Sequence, residues 1–237
     1  ASYLLQIVMH HVAFDGVSTS LLLSELSALY RALDAGGSTS DAGLAAPPIQ
    51  YVDFALWQRS DALAPSLAVH CEYWRTQLRE GVLPVLELPL DHARPALQTF
   101  AGGAVRVRLP AEVVSRLKAV GRRHGATLFQ LALALWALVL CRHASQEEIV
   151  IGAPYHGRDA AGTEMLVGYF VNMLALRVEA PRGPGSIGAV VRSARAAALD
   201  GMRHAALPFQ RIVHELLPRR SHDASRNAVF QAMLAWG

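Results

Sequence analysis

The sequence predicts a mixed α/β (α+β) fold in which helices pack on a layered sheet. Apolar residues make up 52% of the 237 residues and charged residues 17%, which is enough apolar material for a large core. Continuous apolar runs, typical of strands buried on both faces, alternate with segments whose apolar residues recur at helical spacing. The length fits one large domain or two small lobes.

Composition and charge argue against several classes of protein. The longest apolar stretches, such as 131–141, are shorter than the roughly 20 residues that a membrane span needs, and no leader peptide is recognisable. We therefore expect a cytoplasmic protein with no membrane partner. The net charge is only +3, Lys118 is the only lysine, and the arginines are scattered among acids, so nucleic-acid binding is not expected. Cys71 and Cys141 lack metal-ligand spacing and are predicted to be buried thiols.

The chain is predicted to open with a buried strand over residues 3–9, where seven residues form an almost unbroken apolar run. A helix with a stripe of leucines follows, for which Ser18 is a plausible N-cap and Gly36–Gly37 the end. The segment 36–48, rich in Gly, Ser, Ala and Pro, has no periodicity and is the clearest candidate boundary.

Periodicity predicts the remaining elements. Segments with helical spacing or helix-start signals lie at 51–58, 62–80, 110–124, 127–143, 187–202 and 208–217. Apolar or alternating segments that predict strands lie at 104–109, 149–152, 168–178 and 228–236. The strand-helix-helix-strand order in the second half supports the layered sheet.

The densest polar pattern follows the first predicted strand. Alternation along that strand places His11 on the same face as Met9, and His10 on the other face. A histidine at the end of an apolar wall suits a base or a hydrogen-bond partner. Asp15 could orient the loop through an arginine, and Gly16 allows close backbone approach. From the residues alone, a histidine pair that merely fills polar positions at a strand end explains the pattern equally well.

The spacing His10-His11-x-x-x-Asp15-Gly16 matches the HHxxxDG signature of acyltransferases of the chloramphenicol acetyltransferase type. Further segments resemble, in order, the YxDYAxWQ, LPxDxxRP, IGxPxxxR, GxFVN and final motifs of nonribosomal peptide synthetase condensation domains. These segments are 51–58, 90–95, 151–158, 168–172, and 208–210 with 225–231. The chain is identified by this resemblance as a condensation domain.

The resemblance implies a two-lobe fold in which the first lobe is incomplete. Residues 1–46 would be the end of the amino-terminal lobe, 47–100 the connecting helices and crossover, and 101–237 a truncated carboxy-terminal lobe. Because the chain opens inside a predicted core strand, we expect it to be a piece of a longer protein. We also expect the isolated piece to be inactive.

The resemblance also implies the reaction, which is amide bond formation between a donor acyl thioester and an acceptor aminoacyl thioester. Both substrates would be carried on the 4'-phosphopantetheine arms of upstream and downstream peptidyl carrier proteins, next to an adenylation domain. No cofactor would be bound directly. By resemblance His11 is the catalytic residue in a tunnel between the lobes, as a base or as a positioning group, and the Gly16 N–H could hold the oxyanion.

Other site residues are carried over in the same way. Asp15 resembles the structural aspartate that pairs with an arginine, and Arg158 is the candidate partner. His10 is expected to support the site rather than take part in the chemistry. Two further residues are candidates for lining the tunnel, namely His156 and Asn172. A solvated loop position explains His156 equally well, and a hydrogen bond at a strand edge explains Asn172 equally well.

Several alternative functions share parts of this pattern. Coenzyme A-dependent acyltransferases carry HHxxxDG near the carboxyl end, whereas here most of the chain follows it. Epimerisation domains share the motif, but 168–172 is more similar to condensation domains, and heterocyclisation domains replace the histidines. A non-catalytic docking or recruitment module on the same fold typically has a damaged histidine motif. The G-x-G-x-x-G match at 183–188 contains prolines that a dinucleotide-binding turn does not accommodate.

Overall fold

The structure is a computed structural model that describes residues 3–78, 83–183, 186–216 and 224–236. It confirms the mixture of helices with a small sheet. The α-helices are α1 (Gly16–Asp34), α2 (Tyr51–Gln58), α3 (Ala64–Gln77), α4 (Ala111–Arg123), α5 (Leu128–His143), α6 (Ser186–Arg203) and α7 (Phe209–Arg211). The strands are β1 (Glu148–Tyr155), β2 (Asn172–Glu179) and β3 (Ala232–Met233).

The chain divides into two compact units that interleave along the sequence. The first unit is formed by Ala1–Ser66 and His156–Asn172, and the second by Leu67–Tyr155 and Met173–Gly237. All residues proposed for the site from the sequence fall within the first unit. The lobe boundaries drawn from the sequence stay a prediction.

In the first unit, α1 starts one turn earlier than its predicted cap. Asp15 is the N-cap, and its side chain accepts the backbone N–H of Ser18 at 2.8 Å. Ser18 was predicted as the cap, but it is the third helical residue, because the carboxylate three positions earlier already satisfies its N–H. Phe54, Leu166 and Phe170 form a small buried apolar cluster in this unit.

The predicted boundary segment 36–48 is not without structure. It contains a short 3₁₀ helix, Thr39–Ala42, which Ser38 precedes. The carboxylate of Asp41 accepts the backbone N–H of Ser38 at 2.7 Å and its hydroxyl at 2.8 Å. These local hydrogen bonds give the segment a fixed turn without any apolar periodicity.

In the second unit, the sheet has the strand order β2-β1-β3. Strands β1 and β3 are parallel, with Ile151 opposite Ala232. Five consecutive residues of β1 are buried, which explains why the strand reads as a continuous apolar run. Gly152 is required within this strand, because a Cβ there would lie 2.5 Å from the ring of Phe230.

Helix α5 is the central helix of the second unit. It is apolar around most of its circumference and packs mainly on α6. It starts with a capping box formed by Thr127 and Gln130. No single helix in the described ranges has the length and apolar character to cross a membrane. Helices α4 and α5 meet those criteria only when they are taken together across a 98° bend.

Two predicted strands are wrong. Residues 3–9 and 104–109 are both without assigned secondary structure, and their apolar side chains are exposed, Tyr3 by 94% and Val105 by 92%. An apolar run or an alternating pattern predicts burial of a strand on two faces or one, but a strand forms only where a neighbour completes its hydrogen-bond ladder. Neither segment has such a neighbour among the described residues.

Other elements differ mainly at their ends. Strand β2 starts at Asn172 rather than 168, and β3 spans two residues of the predicted 228–236. Helix α7 has only three residues and continues as a π-helical turn, Ile212–Leu216. The predicted ends of two helices, at 80 and 217, lie outside the described residues, as do two positions of the G-x-G-x-x-G match, 184 and 185.

Two histidines face each other beside α3 and the end of α6. The Nδ1 atoms of His70 and His204 are 3.0 Å apart, so one must donate a proton that the other accepts. Tyr73 stacks on His204 with ring centroids 4.0 Å apart, and the indole N–H of Trp74 donates to the carbonyl of His204 at 2.9 Å. Burial lowers the pKa of His70, and the charge of His204 lowers it further. Burial and Asp200 raise the pKa of Tyr73 to about 12.

We expect acidification to loosen this contact. The pKa of His70 in the folded state lies below its ordinary value of 6.5, so the unfolded state binds more protons at pH values between the two. The stabilisation is fully present above pH 6.5 and falls as the pH drops through that window. Amide protection factors of residues 70–77 and 198–204 should therefore be lower at about pH 5.5 than at about pH 7.5.

The His70→Gln variant should remove most of this pH dependence, because glutamine can accept or donate the hydrogen bond without titrating. His92→Gln, in an exposed loop, is the matched control and should leave the dependence unchanged. An undiminished pH dependence in His70→Gln would contradict the assignment.

Candidate active site

His10 and His11 lie in a short turn directly ahead of α1. The turn is a 3₁₀ helix, His11–Ala13, and His10 caps it by accepting the backbone N–H of Val12 on Nδ1 at 3.0 Å. This differs from the predicted strand end, so the alternation argument for His11 does not hold. His10 has a structural task in the turn, whereas the imidazole of His11 is exposed.

Asp15 lies at the centre of a buried polar network. Its carboxylate accepts the N–H and hydroxyl of Ser18, each at 2.8 Å, and the N–H of Phe170 at 3.1 Å. Arg158 Nη2 donates to both carboxylate oxygens, at 2.9 and 3.1 Å. Burial by itself would raise the pKa of Asp15, but the hydrogen bonds from Ser18, Arg158 and Phe170 outweigh it and lower the pKa. Asp15 is therefore held as a carboxylate.

Arg158 completes the network from a loop far along the chain. Its Nη1 donates to the carbonyl oxygens of Thr163 at 2.6 Å and Leu166 at 2.7 Å. The guanidinium carbon lies 4.1 Å from the ring centroid of Phe170, which adds a cation–π contact. The side chain of Arg158 is 5% exposed and that of Asp15 is 0% exposed. The ion pair expected from the sequence is present, and it is buried.

Ser18 joins α1 to the segment around Gly168. Its Oγ accepts the N–H of Gly168 at 3.0 Å and lies 2.9 Å from the carbonyl oxygen of the same residue. It also accepts from Arg158 Nη2 at 3.1 Å. The hydroxyl has a single hydrogen, so it serves either the Asp15 carboxylate or the Gly168 carbonyl at any moment.

Two glycines make this close packing possible. Gly157 has φ +66°, and a Cβ there would lie 1.9 Å from the carbonyl oxygen of Phe170. A Cβ on Gly168 would lie 2.2 Å from the ring of Tyr51. Any larger residue at either position would push the 157–172 loop away from the network.

The ring of Tyr169 is in contact with the imidazole of His11. The two ring centroids are 5.4 Å apart and the planes meet at 81°, an edge-to-face arrangement. The carbonyl oxygen of Tyr169 accepts the hydroxyl of Tyr51 at 2.8 Å. The first unit thus brings His11, Tyr169 and Tyr51 into one connected row.

The remaining candidates occupy more peripheral places. Gly16 is the first residue of α1, and a Cβ there would meet no atom within 4 Å, so the space beside its backbone is open. His156 is in the loop after β1, where its Nδ1 accepts the N–H of Arg158 at 3.1 Å and its Nε2 is 4.0 Å from Asp159. Asn172 is the half-buried first residue of β2. Their predicted tunnel roles stay predictions.

Sequence reasoning missed the residues that connect the site. The sequence places Tyr51 and Tyr169 in two separate motifs and offers Ser18 as a helix cap, but it does not connect the three residues. Contacts between positions more than 100 residues apart leave no periodic signal in a single sequence. Within the described ranges no group of three or more His, Cys, Asp or Glu could hold a metal ion.

Comparison with known proteins gives a consistent picture. The family model described as "Condensation domain" matches residues 1–236. One of the proteins that make up the linear gramicidin synthase of Brevibacillus parabrevis is 39% identical over 226 residues, which are 95% of this chain and 4% of that protein. Malpinin synthetase of Mortierella alpina is 38% identical over 232 residues, which are 98% of this chain and 3% of that protein. The chain therefore spans only a small part of these relatives.

Solved structures show the same fold. The X-domain from teicoplanin biosynthesis, in its complex with OxyB, has a TM-score of 0.82 and 28% identity over 95% of this chain and 49% of that chain. A four-domain nonribosomal peptide synthetase bound to AMP and glycine has a TM-score of 0.79 and 23% identity, covering 97% of this chain and 16% of that chain. The mixed α/β fold of condensation domains, expected from the resemblance to the chloramphenicol acetyltransferase type, is thereby confirmed.

We expect the loss of either partner of the buried ion pair to destabilise the fold strongly. Arg158→Met leaves the Asp15 carboxylate buried without its counter-ion, and should lower the free energy of unfolding by about 3–5 kcal/mol. Asp15→Asn should cost a similar amount, and the double variant less than the sum of the two. Urea denaturation of the domain that carries this chain measures all three.

The matched control is Arg75→Met, which breaks an exposed pair with Glu72 on α3. Exposed pairs contribute about 0–1 kcal/mol, so this variant should be nearly neutral. Equal effects of Arg158→Met and Arg75→Met would refute a structural role for the buried pair.

Proposed function

Because this chain belongs to the condensation-domain family of nonribosomal peptide synthetases, we propose that it forms an amide bond between a donor acyl or peptidyl thioester and an acceptor aminoacyl thioester. Peptide bond formation in general is what family membership supports. We propose in addition that both substrates are thioesters and that carrier proteins deliver them on phosphopantetheine arms.

In the proposed step, the acceptor amine attacks the carbonyl carbon of the donor thioester. A C–N bond forms and the C–S bond breaks, and the sulfur leaves as a thiol that takes up the proton lost by the amine. The imidazole of His11 accepts or positions that proton. General-base catalysis of this kind contributes about 10²–10⁴-fold to a rate.

The observation that carries this proposal is the combination of an exposed imidazole with a fixed backbone. His11 is open to solvent, and only three residues separate it from Asp15. Asp15 is buried and bonded to Arg158 at 2.9 Å, which anchors the start of α1 and with it the turn. A base presented on an anchored turn is close to the geometry that proton transfer needs.

The start of α1 supports a further role in the same reaction. Gly16 is the first residue of this 19-residue helix, where backbone N–H groups have no partner within the helix. A Cβ built on Gly16 would meet no atom within 4 Å, so the helix start is open on that side. We assign this N–H to the oxyanion that develops on the donor carbonyl.

The proposed partners follow from the substrates. The donor and acceptor arrive on upstream and downstream peptidyl carrier proteins, with an adenylation domain next to the acceptor carrier. The chain itself binds no cofactor, since the 4'-phosphopantetheine belongs to the carriers. We propose that His156 and Asn172 line the path by which the two arms approach His11.

The likeness to the X-domain favours a second candidate function. That domain was solved in complex with another protein, OxyB. A recruitment module of this kind would bind another protein through the same fold and form no bond. The intact His10–His11 pair favours catalysis over recruitment.

The decisive experiment replaces His11 by alanine in the protein that carries this chain. With donor and acceptor loaded on their carrier proteins, mass spectrometry of the thioester products should show amide formation by the unmodified protein. His11→Ala should lower the rate by at least about 10²-fold.

The matched control is His10→Asn. An asparagine oxygen can accept the Val12 N–H that His10 accepts now, so the turn persists and the loss of rate should be much smaller. Equal product from the unmodified protein and His11→Ala contradicts His11 as the functional group. Absence of amide in the unmodified protein, together with stable capture of a partner protein, favours recruitment.

A further inference from the structure

Tyr169 is the aromatic residue that restricts the ring of His11. The two rings meet edge to face, with centroids 5.4 Å apart. His11 is exposed and belongs to a turn of three residues, so burial does little to fix its side-chain torsions. A neighbouring ring that is itself fixed therefore has a large influence on where the imidazole nitrogens point.

Tyr169 is fixed through three consecutive backbone positions. On one side the N–H of Gly168 donates to Ser18 Oγ at 3.0 Å, and on the other the N–H of Phe170 donates to Asp15 Oδ2 at 3.1 Å. Between them, the carbonyl oxygen of Tyr169 accepts the hydroxyl of Tyr51 at 2.8 Å. The base of the Tyr169 side chain is thus held by buried groups of α1 and by α2.

Tyr51 is a well-placed donor for this task. Its ring packs where a Cβ of residue 168 would be, and it meets the ring of Phe170 with centroids 5.1 Å apart and planes at 82°. Burial raises the pKa of Tyr51, and the charges of Asp15 and Tyr169 raise it further. The hydroxyl accordingly keeps its proton at neutral pH and donates it to the Tyr169 carbonyl.

We propose that Tyr169 positions the imidazole of His11 for the acceptor amine, and that Tyr51 holds Tyr169 in place for this purpose. The inference rests on the proposed amide-forming function. Both tyrosines are positioning residues, because they act through His11 and not on the reacting atoms. Through the row Tyr51–Tyr169–His11, contacts with buried residues restrict the position of an exposed side chain.

Proton transfer is sensitive to this placement. A shift of about 1 Å between reacting groups can cost about 10²-fold in rate, even when substrate binding is unaffected. Loss of the Tyr169 ring should therefore lower kcat and leave KM for the acceptor substrate largely unchanged. A residue that only contributed to substrate binding would instead raise KM.

The first test compares kcat and KM in variants of the full protein, with the acceptor loaded on its carrier. Tyr169→Ala should lower kcat by about 10- to 100-fold, and Tyr169→Phe, which keeps the ring, should restore most of it. Tyr51→Phe removes only the hydroxyl and should lower kcat by about three- to tenfold. Tyr30→Ala and Tyr30→Phe, at an exposed position on α1, are the matched controls.

The second test repeats the substitutions in a His11→Ala background. If Tyr169 acts through His11, Tyr169→Ala should cause no further loss once the imidazole is gone. Losses that multiply would show that Tyr169 acts on the substrate or on the fold, and would overturn the inference. A rise in KM with unchanged kcat would overturn it as well.

A spectroscopic measurement separates this inference from the proposed function. With isotope-labelled histidine, the carbon-bound ring protons of His11 should shift in Tyr169→Ala, and by a smaller amount in Tyr51→Phe, because the ring current of Tyr169 is lost or moved. Unchanged signals overturn the positioning role whatever the activity. Equal product from the unmodified protein and His11→Ala would refute the proposed function, while the signals still report on the contact.

Discussion

The ion pair between Asp15 and Arg158 is the constraint on which the first unit depends. The two opposite charges are almost completely removed from water, and such a pair is favourable only when nearly every donor and acceptor around it is satisfied. The neighbours that satisfy it are the start of α1, the carbonyls of Thr163 and Leu166, and the N–H of Phe170. Helix α1 and the 157–172 loop therefore have one arrangement that satisfies the hydrogen bonds of the ion pair. This arrangement fixes the backbone on both sides of Tyr169.

The site divides its tasks between buried and exposed groups. Asp15 is enclosed with Arg158, and Asp15 stays a carboxylate because the pKa of its carboxyl is lowered by the hydrogen bonds that it accepts. The imidazole of His11, which would exchange a proton in the proposed reaction, is left in contact with solvent. A functional side chain on a short turn is held in a precise position only when the structure next to it is rigid. Here that rigid support is the polar network around Asp15 and Arg158 rather than an apolar core.

The sequence allowed much of the site to be predicted, and its limits have physical causes. Asp15 and Gly16 were recognised from their spacing to His11, and Arg158 from its place in a second motif. Ser18 was misassigned because aspartate and serine are both good N-caps and only geometry decides between them. The strands at 3–9 and 104–109 were wrong because an apolar run or an alternating pattern reports a tendency to be buried and says nothing about a pairing partner. The Tyr51–Tyr169 hydrogen bond joins distant positions, which no periodicity encodes.

The close approach of Gly168 and Tyr51 links two positions that are far apart in the chain. The ring of Tyr51 occupies the volume that a side chain at 168 would need, so the two residues share one space. An alanine at 168 would have to displace the ring of Tyr51, and a residue at 51 small enough to make room for it would lack the hydroxyl that donates to the Tyr169 carbonyl. The identity of residue 168 and the hydrogen bond that holds Tyr169 are therefore coupled through the ring of Tyr51.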